Sequence, residues 1–316
     1  MVVALGLAAL VNADALVERA ERKPLGAGRD RSLAIWHPVQ DIADITQISR
    51  LRDLGDWMVG NEDEGGSGVP LGTGPTTTVP LDAVRPALRA PSADQPLRVY
   101  IGGDSIIRDA GDAFLDLASD TPLFDTTLHY ENATGLTRPD FYDWPAALAD
   151  DMESHRPEVA FIMFGGNDSQ GILGPNGEAY AGPSDPRWQE EYARRVAGVM
   201  DILRADDRIV FWVALPPMRD DGFDGRAEVM NDIYREAAAS RPWMTYLDTD
   251  PVFGDDDGEY VERKADPNGD LLDLRQDDGV HFSQPGATHL ARVMLDLIDR
   301  EIQASRSDPT TTTTAG

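Results

Sequence analysis

The chain has 316 residues, 41% of them hydrophobic, enough for one large α/β domain with appendages or for two modest domains. Its 56 acidic residues against 28 basic ones leave a net charge of −28, which repels a phosphate backbone and excludes nucleic acid as a partner. The absence of cysteine excludes disulfides, thiolate nucleophiles and Cys-ligated zinc, and leaves the compartment open.

Lysine occurs only at Lys23 and Lys264, so nearly all positive charge is arginine, and aspartate outnumbers glutamate. A high-GC genome accounts for that usage; so does a saline habitat, where an acidic surface stays hydrated while salt screens its self-repulsion.

The first segment, residues 1–60, opens on an apolar run from Val2 to Val11 with no basic residue before it. Alone the run is too short to span a bilayer. It reads either as the remainder of a longer membrane anchor or as the amphipathic start of a soluble helix. The first reading makes the protein extracytoplasmic and membrane-tethered; the second leaves a cytoplasmic home open. Ile42, Ile45, Ile48, Leu51 and Leu54 then recur at helical spacing. Residues 61–96 are rich in Gly, Pro, Ser and Thr and read as a linker.

From residue 97 to 305 apolar strands alternate with amphipathic helices. Strands are predicted at Arg98 to Ile101, Val159 to Phe164, Ile209 to Leu215 and Met244 to Leu247. Helices are predicted at Ile106 to Leu117, Trp144 to Ser154, Pro186 to Leu203, Ala227 to Ala239 and Pro285 to Ile302. The alternation predicts a three-layer, doubly wound α/β domain with a central parallel sheet, whose ligands lie beyond the carboxyl ends of the strands. Tyr260 to Ala265 and Leu271 to Leu274 flank a turn-forming Asp266-Pro267-Asn268-Gly269-Asp270 and predict a β-hairpin beside the cleft. Residues 306–316 read as a disordered tail.

Chemistry-bearing residues collect at those strand ends. Gly102-Gly103-Asp104-Ser105 ends the first strand and puts Ser105 at a helix N-terminus, where unpaired N–H groups favour developing negative charge; Ser is equally a common helix cap. Gly165-Gly166-Asn167-Asp168 ends the Val159 strand, and its Asn amide can donate to an oxyanion, although Gly-Asn is also a frequent turn. In Asp278-Gly279-Val280-His281 a carboxylate three residues before a histidine can take its Nδ1–H and free Nε2 to accept a proton. Asp104 and Asp168 read as structural acceptors of turn N–H groups. His129, His155 and His289 lack metal-ligand spacing and read as structural or exposed. Asp255-Asp256-Asp257-Gly258-Glu259 lacks the ligand order of a calcium loop and reads as a solvated turn. The triplets Asn132-Ala133-Thr134 and Asn167-Asp168-Ser169 fit a glycosylation signal, but coincide with these strand-end loops.

The set Gly103-Asp104-Ser105, Gly135 within Asn132-Ala133-Thr134-Gly135, Gly165-Gly166-Asn167-Asp168 and Asp278-x-x-His281 resembles, in order, the blocks of SGNH (GDSL-like) hydrolases. The resemblance implies Ser105 as nucleophile, His281 as base, Asp278 as its orienting carboxylate, and Ser105 N–H, Gly135 N–H and the Asn167 side chain as oxyanion donors. It implies no metal or organic cofactor. The stretch Arg138 to Trp144 further resembles a bacterial subgroup that is often membrane-tethered. The sequence departs from the pattern in having Ile106 where the family name has leucine, and Ala133-Thr134 where a more open loop is usual. The expected activity is hydrolysis of an ester, an O-acetyl or other short acyl group on a small molecule or polysaccharide. Transfer of the acyl group to another alcohol by the same triad, and a silent carbohydrate-binding or scaffold role, are the alternatives.

Overall fold

The computed structural model describes residues 85–265 and 269–307. In chain order the elements are β1 (Leu97–Gly103), α1 (Ser105–Ser119), β2 (Phe124–Tyr130), α2 (Trp144–His155), β3 (Val159–Met163), β4 (Ile172–Leu173) and β5 (Ala179–Tyr180). They continue with α3 (Pro186–Ile202), β6 (Ile209–Val213), α4 (Asp221–Ala239), β7 (Met244–Leu247), α5 (Asp250–Phe253), β8 (Arg263–Ala265), β9 (Leu271–Asp273) and α6 (Gln284–Ser307). Five strands form a parallel sheet in the order β2-β1-β3-β6-β7. Helices α1 and α6 pack together, as do α2, α3 and α4. The predicted doubly wound α/β fold is the one observed. Among the described residues no helix is long and apolar enough to cross a membrane. The Val2 to Val11 run, the 1–60 segment, most of the 61–96 linker and the tail beyond Ser307 lie outside the described residues.

The central strands are apolar because both of their faces are covered: every residue of β3 and β6 is buried. Phe161 of β3 stacks on Phe211 of β6 with centroids 4.8 Å apart, and Trp144, Phe164 and Trp212 continue the aromatic layer. Edge strand β2 is different. Its Asp125, Thr126 and Thr127 meet solvent at least in part, so it lacks the apolar run by which its neighbours are predicted, and its place in the sheet is seen only in the structure.

Aspartate punctuates the exits from strand to helix. Asp104, Asp143, Asp185 and Asp220 cap α1, α2, α3 and α4, each carboxylate accepting an N–H of the first turn. Pro145 and Pro186 stand in the first turns of α2 and α3, where no intrahelical donor is lost. Part of the acidic excess therefore serves as helix caps, of which only Asp104 is buried.

The end of the stretch read as a linker is held on the domain. Arg89 pairs with Glu158 at 2.6 Å and donates to the Pro96 carbonyl, Leu88 is buried, and Arg85 pairs with Glu301 of α6. These anchors join residues far apart in sequence, so local composition does not announce them. The expected hairpin forms over shorter strands, Arg263 to Ala265 against Leu271 to Asp273. From β8 the Lys264 ammonium donates to the carbonyls of Pro251 (2.7 Å) and Gly254 (2.6 Å) at the end of α5. Asp255, Asp256, Asp257 and Glu259 are exposed, as a solvated turn requires.

Candidate active site

In a sheet of order 2-1-3-4-5 the crevice lies where the winding reverses, between the first strand and its inner neighbour. Here those strands are β1 and β3, and the loops leaving them carry Ser105 and Asn167. Gly103 lets β1 exit tightly: its φ is +150°, and a Cβ there would sit 1.8 Å from the Met163 carbonyl oxygen of β3. Ser105 follows as the first residue of α1, with its backbone N–H among the unpaired donors of the helix N-terminus.

The four loops named from the sequence converge here. Ser105 Oγ lies 2.9 Å from His281 Nε2, and His281 Nδ1 lies 2.6 Å from Asp278 Oδ2. The other Asp278 oxygen accepts the N–H groups of Val280 (2.8 Å) and His281 (3.0 Å), so the loop folds around the carboxylate that orients its histidine. Gly279 turns that loop at φ +73°. Burial pulls His281 down, but the hydrogen bond and charge of Asp278 outweigh it, and the imidazole titrates above its ordinary 6.5. For Asp278, burial works upward, yet His281 and the two N–H donors hold the carboxyl below its usual range.

Asn167 Nδ2 donates to the Thr134 carbonyl at 3.1 Å, which brings Asn167 beside Gly135. Gly135 itself abuts Asp168: a Cβ there would fall 2.2 Å from Asp168 Oδ1, so only glycine fits. All five sequence-predicted residues, Ser105, Gly135, Asn167, Asp278 and His281, thus sit on the loops that form this site.

Two buried carboxylates tie the loops together. Asp104 accepts from Ile106 N (3.0 Å) through one oxygen and from Gly165 N (2.9 Å) and Gly166 N (2.8 Å) through the other, joining the Ser105 helix to the Asn167 turn. Burial pushes its carboxyl up to about 7, with Asp168 adding to the rise and the three N–H donors opposing it. Asp168 accepts from Thr137 N (2.8 Å), Thr137 Oγ1 (2.9 Å) and Tyr192 Oη (2.8 Å), and burial raises it too. Both are acceptors of turn N–H groups, as their sequence context suggests.

Arg275 is marked by no local sequence pattern, and its partners Phe253 and Pro217 are distant in sequence. It is buried between Phe253 and Phe282, at 4.6 and 5.0 Å from their ring centroids, and donates to the Pro217 carbonyl at 3.1 Å. It pins the loop bearing Asp278 and His281 to the segment after β6. A second histidine–carboxylate pair, His129 with Asp151 at 2.5 Å, lies on β2 and α2; His129 Nε2 is 2.9 Å from Tyr142 Oη. Among the described residues, no group of three or more His, Asp or Glu side chains could hold a metal ion.

Fold and site together define a three-layer α/β protein with a serine–histidine–aspartate array at its topological switch point. Residues 98–297 match the family described as "Protein of unknown function (DUF459)", and the chain belongs to that family. No curated protein matches the sequence. Solved structures similar to it include a catalytic mutant of an acetylxylan esterase from Geobacillus stearothermophilus, at 14% identity over 64% of this chain and 94% of that one, with a TM-score of 0.44. A GDSL-like lipase from Bacteroides thetaiotaomicron is similar at 13% identity over 67% and 92% of the two chains, TM-score 0.41. The C-terminal catalytic domain of Streptococcus pneumoniae peptidoglycan O-acetyltransferase A, carrying a methylsulfonyl adduct, is similar at 15% identity over 68% and 97%, TM-score 0.39.

Proposed function

We propose that the domain is a serine esterase that removes a short acyl group, such as an O-acetyl, from a carbohydrate. The observation that carries this reading is the unbroken chain from Asp278 through His281 to Ser105, at 2.6 and 2.9 Å, ending at a helix N-terminus. Ser105 Oγ attacks the ester carbonyl while His281 Nε2 takes its proton; the C–O bond to the alcohol then breaks, and His281 returns the proton to the leaving oxygen. Water, activated by the same imidazole, releases the acid and regenerates the serine. Asp278 holds the tautomer and stabilises the imidazolium. The N–H groups of Ser105 and Gly135 and the Asn167 amide receive the oxyanion.

Polar side chains about the nucleophile favour a hydroxyl-rich alcohol portion. Arg108 and Asp109 stand within a turn of Ser105, and Gln276, just before the His281 loop, donates to Asp109 at 2.8 Å. The same array can pass the acyl group to a second alcohol in place of water, and product analysis with a sugar acceptor separates the two outcomes.

The test is labelling with an organophosphonate followed by peptide mass analysis, together with p-nitrophenyl acetate hydrolysis by the wild type and Ser105→Ala. The adduct is expected on Ser105, and the variant is expected to lose activity by about a thousandfold or more with its unfolding midpoint unchanged. Wild-type turnover by Ser105→Ala would end this reading.

A further inference from the structure

The loop that carries Gly135 is held in a conformation its residues do not favour. Ala133 has φ +59°, the left-handed region that a Cβ disfavours. What holds it is the next residue. Thr134 is buried, and its hydroxyl donates to the Glu131 carbonyl at 2.7 Å while accepting the Trp144 indole N–H at 2.9 Å. Trp144 cannot drift: it is fully buried at the start of α2, with the rings of Tyr142 and Phe164 each 4.9 Å from its own. The backbone carbonyl of the same threonine accepts Asn167 Nδ2 at 3.1 Å.

An amide nitrogen carries two hydrogens at a fixed angle in one plane. Once one of them is directed at the Thr134 carbonyl, the direction of the other is set. Asp104 and Asp168 fix the backbone on either side of Asn167, but neither touches its amide. Among the described residues, the hydrogen bond that constrains the amide group is the one to Thr134.

We propose that Thr134 is the positioning residue of the oxyanion hole. Its carbonyl takes one Asn167 hydrogen so that the other is presented toward Ser105, and its hydroxyl, locked between Trp144 and Glu131, keeps that carbonyl in place. This rests on the esterase reading above. It assigns no contact with substrate to Thr134, which acts through Asn167.

The experiment is steady-state p-nitrophenyl acetate kinetics on the full chain, comparing wild type, Ser105→Ala, Thr134→Val, Thr134→Ser, Asn167→Ala and the Thr134→Val/Asn167→Ala double variant. Valine keeps the shape of threonine and deletes the hydroxyl. It should lower kcat by about tenfold to a hundredfold, the scale of a small misplacement of an oxyanion donor, with KM changed by less than about twofold. Serine should bring kcat back to within about threefold of wild type. In the Asn167→Ala background, Thr134→Val should add less than about twofold, because the two residues act in series. A Thr134→Val enzyme with wild-type kcat, or one losing as much in the absence of Asn167 as in its presence, overturns the assignment while leaving the esterase reading intact. Full activity in Ser105→Ala overturns both. If Thr134→Val does not fold, Thr134→Val/Trp144→Phe, which removes the buried donor and acceptor together, carries the same readouts.

Discussion

Two hydrogen-bonded arrays in this molecule have nearly the same chemistry and quite different surroundings. In one, Asp278 orients His281 toward the Ser105 hydroxyl; in the other, Asp151 orients His129 toward the Tyr142 hydroxyl, and both final contacts are 2.9 Å. The first ends at a helix N-terminus, flanked by glycines and by Asn167. The second ends on a phenol pushed up to about 12 by burial and by the charges of Glu131 and Asp151, with its ring edge-on to that of Trp144 at 4.9 Å. Its Asp151 is shared with Tyr100, whose hydroxyl donates at 2.7 Å. A carboxylate, an imidazole and a hydroxyl in line are therefore not yet a catalytic site. What separates the two arrays is where the last oxygen stands: Ser105 begins a helix beside the Asn167 loop, whereas Tyr142 packs against Trp144.

The largest effect should come from exchanging the two histidines in turn. His281→Ala is expected to abolish p-nitrophenyl acetate hydrolysis to about the level of Ser105→Ala, since the pair acts as a unit, whereas His129→Gln should keep kcat within about threefold of wild type. Equal losses in the two variants would erase the distinction. The donor set comes next: Asn167→Ala should lower kcat by about two to three orders of magnitude with little change in KM, measured on the folded fraction. If instead the folded fraction falls and kcat holds, Asn167 is a structural residue and the arrays differ less than proposed.

Titration gives a smaller but more specific contrast. The active form needs neutral His281, whose pKa is raised by Asp278, so kcat/KM should fall as pH drops through a value above 6.5. Asp278→Asn should shift that limb to lower pH, and added salt, by screening the diffuse acidic surface, should do so to a lesser degree. A profile flat across neutrality would remove His281 as base. The same pair links to stability. The raised His281 contributes below its unfolded pKa and loses that contribution as pH rises through the folded one; the depressed Asp278 contributes above its unfolded pKa and loses that contribution on acidification. Wild type should therefore exceed Asp278→Asn in thermal midpoint most clearly between the two unfolded values, about pH 4 to 6.5. The smallest effect is Tyr142→Phe, which should cost about 1 kcal/mol in denaturant unfolding and leave kcat within about twofold.

The sequence announces one array and hides the other for a physical reason. Ser105, Asn167 and His281 stand at the ends of apolar strands or before a proline-marked helix, and Asp278 is only three residues from His281, so strand pattern and spacing together expose them. His129 and Asp151 meet across a strand and a helix, and β2 is a partly solvated edge strand without the apolar run that marks β3 and β6. The predicted strands lie within about two residues of those observed, while α4 begins well ahead of Ala227, at Asp221, and α6 runs past Ile302 to Ser307. The Trp144 indole bond to Thr134, the Arg275 pin and the Arg85, Leu88 and Arg89 anchors are tertiary pairings, which no local pattern encodes.

Those last anchors have a topological consequence. Leu88 N–H donates to Ser305 Oγ, Arg85 pairs with Glu301 and reaches Thr245 Oγ1 at the start of β7, and Arg89 reaches Glu158 just ahead of β3. The described domain is thus fastened where its chain enters and leaves, along the edge of the sheet from which the strands set out, while Ser105 lies past the opposite edge. A short bridge between residues near 85 and 307, with the chain reopened at the exposed Gly177 in the tip between β4 and β5, would give a circular permutant. The succession of strands along the polypeptide would change, and their neighbours in the sheet would not.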